Sequence, residues 1–132
     1  YIVSPAFDLI ANYTYSDAAF DSGALEGNSI SGVPEKMFTL ASSYSYSNSL
    51  KAYAEVIYTG DQYKSGDNAN TDPKHGSYSV MNVNADYNWQ EWTYSIRINN
   101  LLDREYAESV NSYGAINPSP ERNFWLSAAV KF

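Results

Sequence analysis

The sequence of 132 residues contains no cysteine, which excludes disulfide bridges, thiolate metal sites and cysteine nucleophiles. Basic residues are few: 8 Lys and Arg against 15 Asp and Glu give a net charge of −7, which argues against a nucleic-acid partner. His75 is the single histidine, so a His-rich metal site is excluded. No P-loop, dinucleotide-binding or nucleophile-elbow motif occurs. We therefore expect no enzyme activity, no cofactor and no bound metal.

Long hydrophobic runs are also missing, and none approaches the ~18 residues of a transmembrane helix. Tyrosine is abundant instead, with 13 residues, and it combines an apolar ring with a polar hydroxyl that suits interfaces. Apolar and polar residues alternate with the period of a β-strand in six segments: 7–16, 38–46, 50–59, 80–89, 92–99 and 124–132. Most segments approach the ~9–11 residues of a tilted transmembrane strand, whereas soluble strands typically have ~5–6.

Aromatic residues stand at the ends of the apolar sets, and small or aliphatic residues stand in the middle. This arrangement is typical of the aromatic girdles of an outer-membrane barrel. The connections between the segments also favour a membrane barrel. The long segments 17–33, 61–76 and 103–121 alternate with the short turns 47–49 and 90–91. Such barrels place long loops outside the cell and short turns in the periplasm. The sequence therefore predicts an all-β, antiparallel transmembrane sheet.

Six strands leave two open edges, whereas the smallest single-chain barrels close with eight. We therefore expect residues 1–132 to be the C-terminal part of a larger barrel, without a signal peptide. Two alternatives stay open. A small, self-contained outer-membrane barrel with a structural or adhesive role requires segment 7–16 to pair with segment 124–132. A soluble β binding module requires Phe38, Leu40, Val83 and Ile96 to share an interior.

Five stretches resemble, in order and spacing, the barrel motifs of TonB-dependent outer-membrane receptors. NNLLDREY at 99–106 resembles the signature NNLFDKEY, and PERNFWLSAAVKF at 120–132 resembles the closing strand PGRNFFLSLSYKF, with Glu121 in place of glycine. GVPEKMFTL at 32–40, YTGDQY at 58–63 and YSVMNVNADY at 78–87 resemble NVPKHTFSL, YVGSRY and YTLVDASASY. The set covers nearly the whole chain.

This resemblance implies about the last six strands of a twenty-two-stranded barrel that encloses a plug domain. It implies active uptake of a scarce ligand such as a ferric siderophore, at the outer membrane of a Gram-negative bacterium. The implied partners are membrane lipid, the remainder of the barrel, the plug, the TonB complex that acts through the plug, and the barrel-assembly machinery. No plug lies within residues 1–132, so this segment by itself is not expected to transport.

Candidate ligand contacts are polar and aromatic residues of the predicted outer loops: Tyr63, Lys64, His75, Tyr106, Tyr113 and Arg122. On the polar strand faces, Arg97, Glu55, Lys51 and Asp86 are expected to meet water or the plug. Asn and Asp of NNLLD are expected to cap backbone groups where the strand ends, and Arg104 is expected to pair with Glu105. The final strand resembles the signal read by the assembly machinery, through Phe124, Leu126, Ala128, Val130 and Phe132.

Overall fold

The structure, a computed structural model, describes residues 2–4 and 6–131. Within this part of the chain no helix is long and apolar enough to span a membrane. The regular elements of the described residues are nine strands: β1 (Ile2–Ser4), β2 (Phe7–Tyr15), β3 (Lys36–Ser45), β4 (Leu50–Thr59), β5 (Tyr78–Trp89), β6 (Trp92–Asn99), β7 (Ala107–Val110), β8 (Ile116–Pro118) and β9 (Asn123–Val130).

Seven of these strands form one antiparallel sheet in the order β1-β2-β3-β4-β5-β6-β9. Its six long strands confirm the six alternating segments. The remaining pair, β7 and β8, forms a separate hairpin inside the connection from β6 to β9. The three short strands were not predicted, because three or four residues are too few to show a period of two.

The strand register puts the apolar sets of all six long strands on one face of the sheet. Directly paired residues share a face, and one continuous row of pairs runs Phe7–Tyr44–Ala52–Ala85–Ile96–Leu126. The opposite face carries the polar sets, where Lys51 pairs with Asp86 and Asn84 pairs with Arg97. The period-two pattern therefore defines one apolar and one polar face, as predicted.

Aromatic residues lie towards both ends of the apolar face. At the end with the short turns, Tyr87 pairs with Tyr94 and Trp89 pairs with Trp92. At the other end, the pairs Tyr13–Phe38 and Phe38–Tyr58 form a continuous row. We call these the turn end and the loop end of the sheet. Two aromatic rows flanking an aliphatic middle are the girdle arrangement of a membrane strand.

The apolar face of the sheet is bare. Among the described residues Ala41 is the single buried hydrophobic side chain, while Phe38, Leu40 and Ile96 are 37%, 38% and 42% exposed. The shared interior required of a soluble module is therefore absent from the described part of the chain. An exposed apolar face of this extent needs an apolar environment such as lipid.

The sheet does not close on itself. β2 lies between β1 and β3, and β9 pairs with β6. Within the described residues β2 and β9 are not hydrogen-bonded to each other, which is the pairing that a self-contained barrel requires. The described sheet is therefore a partial barrel with open edges.

Candidate functional site

Three long connections gather at the loop end of the sheet: loop A (residues 16–35), loop B (60–77) and loop C (100–122). They correspond to the predicted outer loops 17–33, 61–76 and 103–121. These loops contain eleven of the fifteen acidic residues and four of the eight basic residues, so they hold the entire net charge of −7. The strands, the short turns and the chain ends contribute none.

Loops A and B are joined by the asparagines of loop B. Asn70 accepts a hydrogen bond from the Ser29 N–H at 2.7 Å and donates to the Ser29 carbonyl at 3.0 Å. Asn68 Oδ1 accepts a hydrogen bond from the Ser31 hydroxyl at 2.7 Å. Because each amide side chain both donates and accepts, it can replace a backbone strand partner. The two loops consequently form one connected layer.

Asp67 holds the turn of loop B that presents these asparagines. The Asp67 carboxylate accepts hydrogen bonds from the Asp72 N–H at 2.9 Å, the Thr71 N–H at 3.1 Å and the Thr71 hydroxyl at 3.1 Å. The hydrogen bond from the Asp72 N–H, followed by those from Thr71 and the charge of Lys64, lowers the pKa of Asp67. These hydrogen bonds favour the ionised carboxylate.

The order of loop B should therefore depend on pH. Because the pKa of Asp67 is lower in the folded loop than in the open one, its contribution is complete above the ordinary carboxyl pKa of ~4 and is lost as pH falls further. We expect hydrogen exchange of the Thr71 and Asp72 amides, corrected for its intrinsic pH dependence, to accelerate at acidic pH. The Asp67→Asn variant should lose this pH response, and an unchanged response would contradict the assignment to Asp67.

Loops B and C are joined mainly through backbone groups. The Ser65 N–H donates to the Val110 carbonyl at 2.8 Å, and the Ser112 N–H donates to the Ser65 carbonyl at 2.9 Å. His75 Nε2 lies 2.9 Å from the Ala107 carbonyl, where a ring N–H can donate. Loop B is therefore bonded on one side to loop A and on the other to the β7–β8 hairpin of loop C.

Asn100 organises the start of loop C. Its side chain accepts a hydrogen bond from the Arg104 N–H at 2.9 Å and donates to the carbonyls of Arg104 at 2.9 Å and Pro120 at 3.3 Å. Asn100 is 3% exposed and has a φ of 51°, in the left-handed region that asparagine tolerates better than most residues. The predicted capping role of the NNLLD segment is confirmed.

Asp103 is the second capping residue of this segment. Its carboxylate accepts a hydrogen bond from the Arg122 N–H at 3.0 Å and forms an ion pair with the Arg122 guanidinium at 3.5 Å. The predicted ion pair between Arg104 and Glu105 is wrong, since no such pair occurs among the described residues. Both side chains are exposed to water, where an ion pair contributes only ~0–1 kcal/mol and does not fix the two side chains together.

The predicted ligand residues divide into two groups. Four of them already interact with other polar or charged groups of the loops. Lys64 forms an ion pair with Asp72 at 3.1 Å, and the Tyr63 ring faces Lys74 Nζ at 5.2 Å. His75 and Arg122 make the contacts described above. Tyr113 is 95% exposed at the tip of the β7–β8 hairpin. Tyr106 stacks on Tyr78, with ring centroids 4.3 Å apart.

The Tyr78–Tyr106 pair lines a cleft of about 350 Å³ at the loop end of the polar face. Burial, followed by the neighbouring Tyr78 and Glu108, raises the pKa of Tyr106. The polar side chains that line the cleft come from β4, β5, β6, β9 and loop C: Thr59, Asn82, Asn99, Asn100, Glu108 and Asn123. Ile57, Val80 and Pro120 complete the lining. Tyr106 was predicted from the sequence, whereas Tyr78 and Asn82 were not, because nothing in a single strand shows which polar residues face a loop.

The strand residues fall where the alternation placed them. Arg97, Glu55, Lys51 and Asp86 all lie on the polar face. Of the predicted assembly signal, Phe124, Leu126, Ala128 and Val130 lie on the apolar face of β9. Phe132 lies outside the described residues.

Comparison with known proteins gives a consistent result. A family model described as "TonB dependent receptor-like, beta-barrel" matches residues 4–101. The catecholate siderophore receptor Fiu of Escherichia coli K12 is 29% identical over 137 residues, and the ferrichrome outer membrane transporter/phage receptor of the same strain is 32% identical over 141 residues. Each match covers 98% of this chain and 18% of the relative.

The same relationship appears in three dimensions. The crystal structure of the ferric-catecholate import receptor Fiu from E. coli K12, in its closed form, superposes with a TM-score of 0.77 and 28% identity. That match covers 98% of this chain and 19% of the receptor chain. The chain thus spans less than a fifth of the length of each of these receptors.

Proposed function

Because the chain belongs to the TonB-dependent receptor family of outer-membrane β-barrels, we propose that it is part of a receptor for the active uptake of a ferric siderophore. The observation that carries this proposal is the match of 98% of the chain to siderophore receptors in both sequence and fold. These relatives are transport receptors rather than enzymes, and we propose no catalytic role. We place this segment as about the last six strands of a barrel of twenty-two.

The proposed location is the outer membrane of a Gram-negative bacterium. The apolar face with its two aromatic rows suits lipid, and the polar face suits a lumen that contains water and a plug domain. Arg97, Glu55, Lys51 and Asp86 are then lumen residues. The loop end faces outward, and energy reaches the receptor from the TonB complex through a plug domain that residues 1–132 do not contain.

Ligand contacts are proposed for the outer loops and the upper part of the polar face. Tyr106 is favoured because it lines the cleft, and Tyr113 because its side chain is exposed. Lys64, His75 and Arg122 already contact other loop groups, and the Tyr63 ring faces Lys74. A ligand that binds these four residues must therefore contact the atoms that their present partners leave accessible.

Recognition by the barrel-assembly machinery is proposed for β9. Phe124 and Leu126 are 62% and 78% exposed on its apolar face, and one edge of β9 has no strand partner among the described residues. An apolar strand with a free edge is a template for addition of another strand.

Uptake of radioactive iron tests the transport function. In a strain that lacks the full-length receptor containing this segment, we expect uptake of at least one ferric siderophore to fall to background and to return with the intact gene. Tyr106→Ala should raise the Kd of the full-length receptor for the ferric siderophore about 10-fold, in line with an aromatic contact of ~1–2 kcal/mol. Tyr106→Phe should bind the ferric siderophore nearly normally. Unchanged uptake of every siderophore tested after deletion would contradict the proposal.

A further inference from the structure

We propose that the outer loops of this segment select an uncharged or cationic ferric complex and disfavour a polyanionic one. This inference rests on the proposed function and narrows its substrate class. It concerns the sign of the charge that an incoming ligand meets at loops A, B and C.

The basic residues of these loops offer little free positive charge. Lys74 lies between Glu35 at 3.1 Å and Asp61 at 3.6 Å, so two carboxylates surround one ammonium group. Lys64 and Arg122 form the ion pairs with Asp72 and Asp103 already described. Arg104 is the remaining loop cation, and it forms no ion pair among the described residues. The loops therefore keep a net charge of −7, the difference between their eleven acidic and four basic residues.

The cleft on the polar face has the same character. Among the described residues that line it there is no Lys or Arg, and the one charged side chain is the carboxylate of Glu108. Its other polar groups are the asparagine amides, the tyrosine hydroxyls and the Thr59 hydroxyl, which donate and accept hydrogen bonds without adding formal charge. Such a lining suits a neutral ligand that carries carbonyl or hydroxyl groups and a flat apolar surface.

Ferric siderophores differ strongly in charge. Three catecholate groups, each losing two protons, make the Fe³⁺ complex a trianion, whereas three hydroxamate groups, each losing one proton, make it neutral. A surface with excess negative charge slows the approach of a trianion and leaves the approach of a neutral complex nearly unchanged. The loops therefore favour the neutral complex.

The test measures association rates with the full-length receptor and two probes, ferrichrome as the neutral trihydroxamate and a ferric tris-catecholate as the trianion. In the test variant, Asp17→Asn, Asp21→Asn, Glu26→Gln and Glu105→Gln neutralise four exposed loop carboxylates. At low salt we expect association of the trianion to accelerate about 10-fold and that of ferrichrome to change less than about 2-fold. The acceleration that the four substitutions cause should vanish near ~1 M salt, where charges are screened within ~3 Å.

The matched control is Glu91→Gln, which removes a carboxylate from the short turn at the opposite end of the sheet. This control should leave both association rates unchanged, whereas Glu105→Gln alone should accelerate association of the trianion. Faster binding of the trianion to the unaltered receptor, or no response to the four substitutions, would overturn the charge selection and leave the transport function intact. Binding of neither probe nor of any other ferric siderophore would overturn both.

Discussion

Replacement of Asn100 by alanine should destabilise loop C by about 3 kcal/mol. The substitution removes three hydrogen bonds made by a side chain that is 3% exposed, and it leaves backbone groups of Arg104 and Pro120 without this partner. Each of these hydrogen bonds contributes ~0.5–1.5 kcal/mol, and alanine also tolerates the positive φ less well than asparagine does. No other side chain in the loop makes this set of contacts among the described residues.

Hydrogen exchange measures this effect, since opening of the loop exposes its amides. In the full-length receptor we expect the Arg104 amide to exchange about 100-fold faster in Asn100→Ala than in the unaltered protein. Asn100→Gly should recover ~1 kcal/mol, because glycine accepts the positive φ but restores no hydrogen bond. Asn117→Ala is the control, since Asn117 is exposed in the same loop. Equal exchange in Asn100→Ala and Asn117→Ala would contradict the capping role.

A lysine on the apolar face should prevent or strongly weaken insertion of the sheet into a membrane. Val83 lies in the middle of β5, paired with Ala54 on one side and Ile98 on the other. A lysine near the centre of the bilayer costs ~2–4 kcal/mol on the lipid face of a barrel. We therefore expect Val83→Lys to make folding into lipid less favourable by this amount.

Asn84→Lys provides the matched control. Asn84 is the next residue of the same strand, but it lies on the polar face beside Asp86, to which it donates a hydrogen bond at 3.1 Å. A lysine there reaches water and the Asp86 carboxylate, which offsets the like charge of the facing Arg97, so it should cost less than ~1 kcal/mol. The measurement is the fraction of full-length receptor that folds into vesicles. Equal losses for the two variants would mean that the apolar face does not contact lipid.

The sequence located the strands because a period of two is a local property of the chain. The apolar set Phe124, Leu126, Ala128 and Val130 can be recognised within β9 alone, and the same holds for the other long strands. The alternation of long and short connections likewise gave the two ends of the sheet. The short strands β1, β7 and β8 escaped prediction, since their pairing depends on partners rather than on their own pattern.

The functional residues were less predictable. Tyr106 was identified, but its stacking partner Tyr78 and the cleft residue Asn82 come from the start and the middle of β5. Lys64 and Arg122 were chosen as candidate ligand contacts, whereas the structure places each beside a carboxylate, eight and nineteen residues away in the chain respectively. A sequence shows which groups can donate or carry charge, but it does not show whether another part of the chain has engaged them.

By itself, the sequence determined the antiparallel all-β class, the two faces of the sheet, the loop and turn ends, and the family resemblance. These follow from short-range alternation and from ordered motifs, both of which are properties of neighbouring residues. The tertiary structure alone decided that loops A, B and C bond into one layer, that the loop cations except Arg104 are paired, and that a cleft without basic residues opens beside Tyr106. These features depend on contacts such as Asn70–Ser29, between residues 41 positions apart, which chain folding creates and no local pattern encodes.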